Sequence, residues 1–295
     1  AVYIRPELRA GAAVMSLFDP TNPLIRRAGR VVPALWPAPY IHGVRTRRVK
    51  NRDIRATIYE PDKPRAVVLW IHGGGLLMGH PRQDVKHLKD TAAQLGVTVV
   101  APHYRFAPEH PYPAALDDVH SAHHWLLNHA DELGVRADRI VIGGQSAGGG
   151  LAAALCQRLY DEGGTQPVGQ WLFCPMLDDR AASDERNVIW DADSNAGAWR
   201  YYVQDDPTAP YAVPGRRADL TGLPPAWLYA GHSELFYGEI LDYAERLKHA
   251  GVPAQCEVVE GGVHAFELWA PHTAAAKRLL MSSRMWLDST LNALD

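Results

Sequence analysis

The stretch RIVIGGQSAGGG, residues 139–150, places one serine in a glycine-rich turn directly after a short β-branched run. Residues 139–142 have the composition of a buried strand, and the residues after Ser146 have the spacing of a helix. The pattern Gly144-x-Ser146-x-Gly148 between a strand and a helix is typical of a nucleophile elbow, a sharp turn that raises the serine hydroxyl above a sheet. A phosphate-binding turn is the alternative, but neither G-x-G-x-x-G nor a lysine-bearing P-loop occurs here. The stretch predicts a parallel sheet with Ser146 as nucleophile at its edge.

Apolar runs alternate with helical patterns along most of the remaining chain. An antiparallel hairpin comes first, and continuous apolar runs then suit strands that are buried on both faces of a parallel sheet. The predicted strands are residues 44–50, 54–60, 67–71, 97–101, 139–142, 170–174, 226–230 and 255–259. The predicted helices are residues 84–95, 114–129, 148–160, 237–250 and 273–287. This alternation predicts an α/β protein with a mixed, mostly parallel sheet of about eight strands.

Two segments depart from the alternation and are predicted to form a cap. Residues 1–43 contain scattered prolines and short apolar patches, which indicate short helices lying over another layer. Residues 180–222 place several tryptophans and tyrosines in a polar setting, which indicates an insertion over the sheet. We therefore expect residues 44–295 to form the catalytic domain, with the cap made of its insertion and of the N-terminal segment.

Bulk composition argues against several classes of protein. The 295 residues carry a net charge of −3, and the one short basic run, residues 45–50, alternates in a way that suits a solvated strand face rather than a nucleic-acid patch. The three cysteines lack metal or disulfide spacing, no apolar run reaches about 18 residues, and no signal peptide is evident. We expect a cytoplasmic protein that binds neither nucleic acid nor membrane.

A second glycine-rich motif, His72-Gly73-Gly74-Gly75, follows the predicted strand 67–71. Consecutive glycines let backbone N–H groups turn toward one point, where they can hold a developing oxyanion together with the amide of the residue after the nucleophile. Oxyanion-hole candidates are therefore the three glycines and Ala147. Spacing does not settle which two glycines donate, although Gly74 and Gly75 are favoured.

A serine nucleophile needs a base and an acid, which follow it along the chain in this kind of fold. His264 lies after the last predicted strand in a glycine-flanked loop, and Glu234 is the carboxylate in the loop after strand 226–230. The acid would hold the imidazole tautomer and stabilise the imidazolium. Asp178 or Asp179 is the alternative acid, and chain position favours Glu234.

Four histidines fall at metal-like spacing on the predicted helix 114–129. No H-E-x-x-H motif accompanies them, so a solvated helix face is the favoured interpretation and no metal is expected. The four are His120, His123, His124 and His129.

Six segments in order resemble the hormone-sensitive-lipase-like family of bacterial esterases over residues 44–290. They are WIHGGG, YRFAPEHPYPAALDD, GGQSAGGGLA, PMLDDR, DLTGLPPAWLYAGHSEL and GGVHAFE. The resemblance implies an α/β-hydrolase fold with a helical cap, no cofactor and hydrolysis of short acyl esters. It also implies that His72 supports its loop rather than serving as the base.

Three positions depart from the family pattern. Gln145 stands where an Asp usually precedes the nucleophile, Glu234 resembles a subgroup with Glu as the acid, and Tyr237-Gly238-Glu239 replaces an Arg-Asp-Glu run. None of these removes a member of the predicted triad.

The sequence therefore predicts a serine carboxylesterase that acts on a small-molecule ester and water, with a homo-oligomer left open. An amidase or lactonase with the same triad is the alternative among enzymes. A non-catalytic small-molecule binder is disfavoured because both Ser146 and His264 are present.

Overall fold

One eight-stranded sheet forms the centre of the molecule in a computed structural model that describes residues 3–180 and 189–295. The strand order is β1-β2-β4-β3-β5-β6-β7-β8. The strands are β1 Val44–Lys50, β2 Arg55–Pro61, β3 Ala66–Ile71, β4 Val97–Pro102, β5 Ile140–Gln145, β6 Gly169–Phe173, β7 Ala226–Gly231 and β8 Ala254–Val259. The first two strands pair antiparallel with each other, β2 pairs antiparallel with β4, and the pairs from β4 onward are parallel. The predicted mixed α/β-hydrolase sheet is confirmed.

Helices connect the parallel strands and flank the sheet. They are α1 Arg9–Met15, α2 Pro23–Val31, α3 Val85–Leu95, α4 Ala114–Asn128, α5 Ala147–Glu162, α6 Ala192–Val203, α7 Tyr237–His249, α8 Phe266–Trp269 and α9 Ala274–Asn292. Side-chain oxygens of Asn22, Asp191 and Thr273 cap the first turns of α2, α6 and α9 by accepting backbone N–H groups that have no partner within the helix. Within the described part of the chain, none of these helices is long and apolar enough to cross a membrane.

The last strand is less buried than its sequence predicts. Strands β3 to β7 are buried along their whole length, whereas β8 alternates between half-buried and exposed residues, and Val258 is 42% exposed. The reason is that β8 forms the edge of the sheet, so a neighbouring strand covers it on one side only. The prediction that this run is buried on both faces was therefore wrong, although its position as a strand was correct.

Aromatic side chains from β3 and β6, the two strands that flank β5, fill the core on one face of the sheet. Trp70 of β3 lies edge-on to Trp171 and Phe173 of β6, with ring centroids 5.5 Å and 5.3 Å away. Edge-to-face contacts of this kind stabilise a core beyond the area that they bury. The indole N–H of Trp70 donates to the buried carboxylate of Asp84 at 2.8 Å, so the one polar atom of this ring has a partner.

The N-terminal helices lie against the segment before and within α6. Ile189 N donates to Ser16 Oγ at 3.2 Å, and the Arg26 guanidinium lies 5.5 Å from the ring of Tyr201. Helix α2 also contacts the glycine-rich loop, because Arg30 Nε donates to Leu77 O at 2.9 Å. These contacts join the two segments that were expected to form the cap. Residues 181–188 of the expected insertion lie outside the described residues.

The start of α5 approaches β3 and β5 so closely that glycine is required. A Cβ atom on Gly148 would lie 2.0 Å from Ile71 O and 2.4 Å from His72 O, and one on Gly144 would lie 2.3 Å from Gly148 O. Each of these neighbours is backbone and cannot move aside as a side chain would. Only glycine therefore fits at these two positions.

We expect Gly148→Ala to lower the free energy of unfolding by about 3 kcal/mol or more, because the added methyl overlaps the backbone of β3. Gly238→Ala is the matched control: it lies in α7 with no atom within 4 Å of an added Cβ, and we expect it to be neutral or to stabilise by up to about 1 kcal/mol. Urea denaturation measures both variants. Equal stability of Gly148→Ala and the parent would contradict the close approach.

Asp84 makes the stability of the protein depend on pH. Burial raises the pKa of this carboxyl to about 7, with a further contribution from the charge of Glu267. Since the pKa in the unfolded chain is about 3.9, the folded state holds a proton that the unfolded state loses above about pH 4. The contribution of Asp84 to stability is therefore fully present below about pH 4 and is lost as the pH rises through about 7.

Asp84→Asn keeps an acceptor for Trp70 but cannot ionise, so we expect it to be more stable than the parent at pH 8 by up to about 4 kcal/mol, with little difference near pH 4. Urea denaturation at pH 4 and pH 8 measures this difference. The exposed Asp53→Asn is the control and should leave the pH dependence of the parent unchanged. A parent and an Asp84→Asn variant with parallel pH profiles would refute the assignment.

Candidate active site

Ser146 lies between the end of β5 and the start of α5 in a strained backbone conformation. Its φ of 55° and ψ of −122° are unfavourable for a residue with a side chain, and hydrogen bonds on both sides hold it there. Its N–H donates to Phe173 O at 2.8 Å, and its carbonyl accepts from Met176 N at 2.9 Å and from Gly150 N at 3.0 Å. The hydroxyl is thereby fixed at the carboxyl edge of the sheet, as the elbow motif predicts.

His264 follows β8 in a loop that brings its ring to Ser146. The distance from His264 Nε2 to Ser146 Oγ is 2.8 Å. The ring of Phe236 packs edge-on against the imidazole at 5.1 Å, and Trp269 Nε1 donates to the carbonyl of His264 at 3.2 Å. The ring is therefore held by packing and the backbone by a hydrogen bond.

Glu234 is fully buried below this histidine and holds its second ring nitrogen. Its Oε2 lies 2.6 Å from His264 Nδ1, and its Oε1 accepts from Gly231 N at 2.5 Å. The loops that carry the two residues also touch each other, because Ser233 N donates to Gly262 O at 2.9 Å. The structure thus brings the predicted serine, histidine and glutamate together in one continuous chain of contacts.

The two alternative acids have other partners. Asp178 accepts from the guanidinium of Arg180 at 2.7 Å and 2.8 Å, and Asp179 accepts from that of Arg216 at the same two distances. Both are two-point ion pairs that fix the chain after β6.

The glycine-rich loop after β3 passes directly beside Ser146. A Cβ atom on Gly73 would lie 3.2 Å from that of Ser146, while Gly74 and Gly75 have φ values of 129° and 62° that favour glycine. The amides of Gly73, Gly74, Gly75 and Ala147 all lack a hydrogen bond to another residue in the described ranges. They are therefore free to bind a group placed above Ser146.

His72 is buried and lies behind this loop. Its Nδ1 contacts Gly73 O at 2.7 Å, its ring stacks on Tyr104 at 4.4 Å, and the hydroxyl of Tyr104 donates to His72 O at 2.8 Å. Burial lowers the pKa of His72 to about 3, so the ring stays neutral. These contacts are those of a residue that supports the loop.

A buried polar cluster of Gln145, Glu267 and Tyr229, next to Ser146, could not be identified from the sequence. Gln145 Nε2 donates to Glu267 Oε1 at 2.6 Å, and the hydroxyl of Tyr229 donates to the other oxygen of Glu267. Burial raises the pKa of Glu267 above its usual range. An Asp in place of Gln145, as in the family pattern, would set two carboxylates against each other, so the neutral amide suits its neighbour.

Glu239 fixes the chain after β6 from the side of α7. Its Oε1 accepts from the amides of Leu177 at 2.7 Å and Asp178 at 3.2 Å, and burial raises its pKa well above the usual range. The only sign of this role in the sequence is the position of Glu239 directly after the loop that carries Glu234. There it belongs to the run Tyr237-Gly238-Glu239, which departs from the family pattern.

The chain matches the model of a family described as having the alpha/beta hydrolase fold over residues 68–268. It is 36% identical over 226 residues to Esterase LipI of Mycobacterium tuberculosis, covering 73% of this chain and 70% of the relative. It is 34% identical over 237 residues to Carboxylesterase NlhH of the same species, covering 76% and 74%.

Solved structures agree with these relatives. A bacterial heroin esterase has a TM-score of 0.88 at 30% identity, with 98% of each chain covered. Esterase LipW from Mycobacterium marinum has a TM-score of 0.84 at 29% identity, with 98% of this chain and 96% of that chain covered. Together with the sequence relatives, they show that the chain belongs to the α/β-hydrolase family of hormone-sensitive-lipase-like esterases and is a carboxylic ester hydrolase.

Proposed function

We propose that the protein is a serine carboxylesterase that hydrolyses short-chain acyl esters through an acyl-enzyme intermediate. The observation that carries this proposal is the continuous chain of contacts from Ser146 Oγ to His264 Nε2 at 2.8 Å and from His264 Nδ1 to Glu234 Oε2 at 2.6 Å. A serine hydroxyl is a weak nucleophile until a neighbouring base accepts its proton. This arrangement supplies the base and the carboxylate that orients it.

The reaction has two halves that use the same residues. As Ser146 Oγ attacks the ester carbonyl, His264 Nε2 accepts the hydroxyl proton and Glu234 stabilises the imidazolium through Nδ1–H. The tetrahedral intermediate then expels the alcohol, which takes the proton from His264, and the acyl group remains on Ser146. Water repeats the sequence: His264 accepts its proton, the hydroxide adds to the acyl carbonyl, and the acid leaves as the proton returns to Ser146.

The oxyanion hole in this proposal consists of backbone amides. Ala147 N begins α5, where helix N–H groups point outward with a partial positive charge. Gly74 and Gly75 supply the facing amides, and Gly73 keeps the loop within contact distance of the nucleophile. One donor of this kind typically contributes about 3 kcal/mol to transition-state stabilisation. Because these donors are backbone, their position does not depend on a side-chain rotamer.

Ser146→Ala should lower kcat for p-nitrophenyl butyrate by at least about 10³-fold, and Glu234→Gln by about 10⁴-fold because the imidazole loses the partner that sets its tautomer. Circular dichroism verifies that each variant is folded. Ser282→Ala, on α9, and His249→Ala, on α7, are matched controls that should keep full activity. A fluorophosphonate probe should label the parent but not Ser146→Ala; equal ester turnover by the parent and Ser146→Ala would reject the proposal.

The preference for short acyl chains rests on the cap. The indole of Trp190 lies so close to Gly75 that a Cβ atom there would be 2.2 Å from the ring, and Trp190 Nε1 donates to Asn195 Oδ1 at 3.1 Å. Helix α2 covers the same loop from the other side, because Gly79 N donates to Gly29 O at 3.2 Å. We infer that the described residues of the segments 1–43 and 180–222 act as the cap and that Trp190 limits the space beside the oxyanion loop.

We expect kcat/KM for p-nitrophenyl esters to be highest at two to four acyl carbons and to fall toward twelve. Trp190→Ala should raise the ratio of octanoate to butyrate turnover by at least about tenfold, since room for even one of the four added methylenes in an apolar pocket is worth about 1 kcal/mol or more. The half-exposed Trp36→Ala is the control and should leave this ratio unchanged. A parent whose rate climbs steadily with chain length would contradict the assignment of Trp190.

A further inference from the structure

Two histidines on α4 meet a carboxylate at the end of α5, on the outside of the molecule. His120 and His124 are one turn apart on α4 and therefore share a face, and Glu162 is the last residue of α5. The distance from His120 Nε2 to Glu162 Oε2 is 2.7 Å, and that from His120 Nε2 to His124 Nε2 is 3.1 Å. The three atoms all lie within 4.8 Å of one another. The histidines of α4 lack the glutamate of an H-E-x-x-H motif in their own helix. Here a carboxylate comes instead from Glu162 of the neighbouring α5.

Hydrogen bonding alone satisfies this arrangement poorly. One nitrogen of a neutral imidazole either donates a proton or accepts one, and the carboxylate can only accept. His120 Nε2 must therefore donate its proton to Glu162. His124 Nε2, 3.1 Å from His120 Nε2, can then only accept a share of that same proton or carry a proton of its own, which would repel the first. A cation between the three atoms would instead accept a lone pair from each of them.

The distances suit a small divalent ion. Tetrahedral zinc binds imidazole nitrogen at about 2.0–2.1 Å, which sets neighbouring donor atoms about 3.3 Å apart. The separations of 2.7 Å and 3.1 Å lie below this value, and the third is at most 4.8 Å. The proposed site therefore requires the side chains to rotate on binding, so that the two shorter separations open and the third adjusts toward about 3.3 Å. Both the histidine nitrogens and the carboxylate are donors that zinc, nickel and copper accept. The exposed position leaves the fourth coordination place open to water.

The surrounding charges prepare Glu162 as a ligand. Arg158 Nε donates to Glu162 Oε1 at 2.9 Å, so this oxygen is occupied while Oε2 faces the histidines. Arg158 also pairs with Asp117 at 2.7 Å, which balances its positive charge. An outer partner that orients a carboxylate in this way is a common feature of metal sites.

We propose that His120, His124 and Glu162 form a binding site for one divalent transition-metal ion, with zinc as the ion of best fit, which links α4 to α5. Helix α5 begins beside the nucleophile and ends at Glu162, and its 16 residues span about 24 Å. The ion would therefore stabilise the fold without reaching Ser146. The other described cluster of donors consists of Cys174, Glu234 and His264. In that cluster Glu234 and His264 already contact each other, and His264 also contacts Ser146.

The test uses tag-free protein that has been stripped with EDTA and titrated with zinc chloride by calorimetry. We expect one saturable site per chain and a rise in the thermal midpoint of roughly 4 °C at a hundredfold excess of zinc over the dissociation constant. His124→Ala and Glu162→Gln should each weaken binding by at least about tenfold. His249→Ala, an exposed helical histidine on α7, is the matched control and should bind as the parent does.

Ester turnover separates this site from the active site. Zinc at the proposed site should leave p-nitrophenyl butyrate hydrolysis unchanged in the parent and in the variants. The proposal is overturned if the parent shows no saturable binding, if His124→Ala binds zinc as tightly as the parent, or if saturation of the tight site abolishes turnover, which would place the ion at His264.

Discussion

The arrangement of the site depends on one direct contact between backbone atoms. It lies where α5 begins after β5 and packs against the end of β3 with no side chain between them. Gly148 lies against the carbonyls of Ile71 and His72, so the first turn of α5 and the glycine-rich loop after β3 are held at a fixed separation. Ser146 is the residue between strand and helix, and its strained backbone is stabilised by hydrogen bonds to the chain after β6. The proposed nucleophile and the proposed oxyanion donors are therefore positioned by the same contact.

The remaining parts of the site are fixed by a second set of loop contacts at the same edge of the sheet. The loop after β7 carries Glu234 and the loop after β8 carries His264, and a backbone hydrogen bond between Ser233 and Gly262 joins them. Glu239 continues this connection toward the chain after β6. Because all of these loops leave parallel strands on one side of the sheet, residues far apart in sequence converge there, as expected at the carboxyl ends of strands.

The sequence predicted the features whose geometry is local. Glycines mark positions where backbone segments approach closely or where φ is positive, as they do around Ser146 and after His72. The elbow and the glycine-rich loop could therefore be identified together with the strands before them. The exposure of β8 was missed because it depends on the absence of a neighbour beyond the edge. The contacts between Gln145 and Glu267 and between His120 and Glu162 join residues 122 and 42 positions apart. A single sequence contains no periodic signal for such pairs.

The pairing of Gln145 with Glu267 restricts how this esterase can change. An Asp at position 145 would face a buried carboxylate, while removal of the carboxylate first would leave the Gln145 amide and the Tyr229 hydroxyl without their shared acceptor. Either single substitution therefore leaves a buried polar group that is unpaired or repelled by its neighbour. Only a simultaneous change at positions 145 and 267 restores a donor facing an acceptor. Position 145 is thus epistatic with position 267, which lies 122 residues later. Engineering of either position should change the two together.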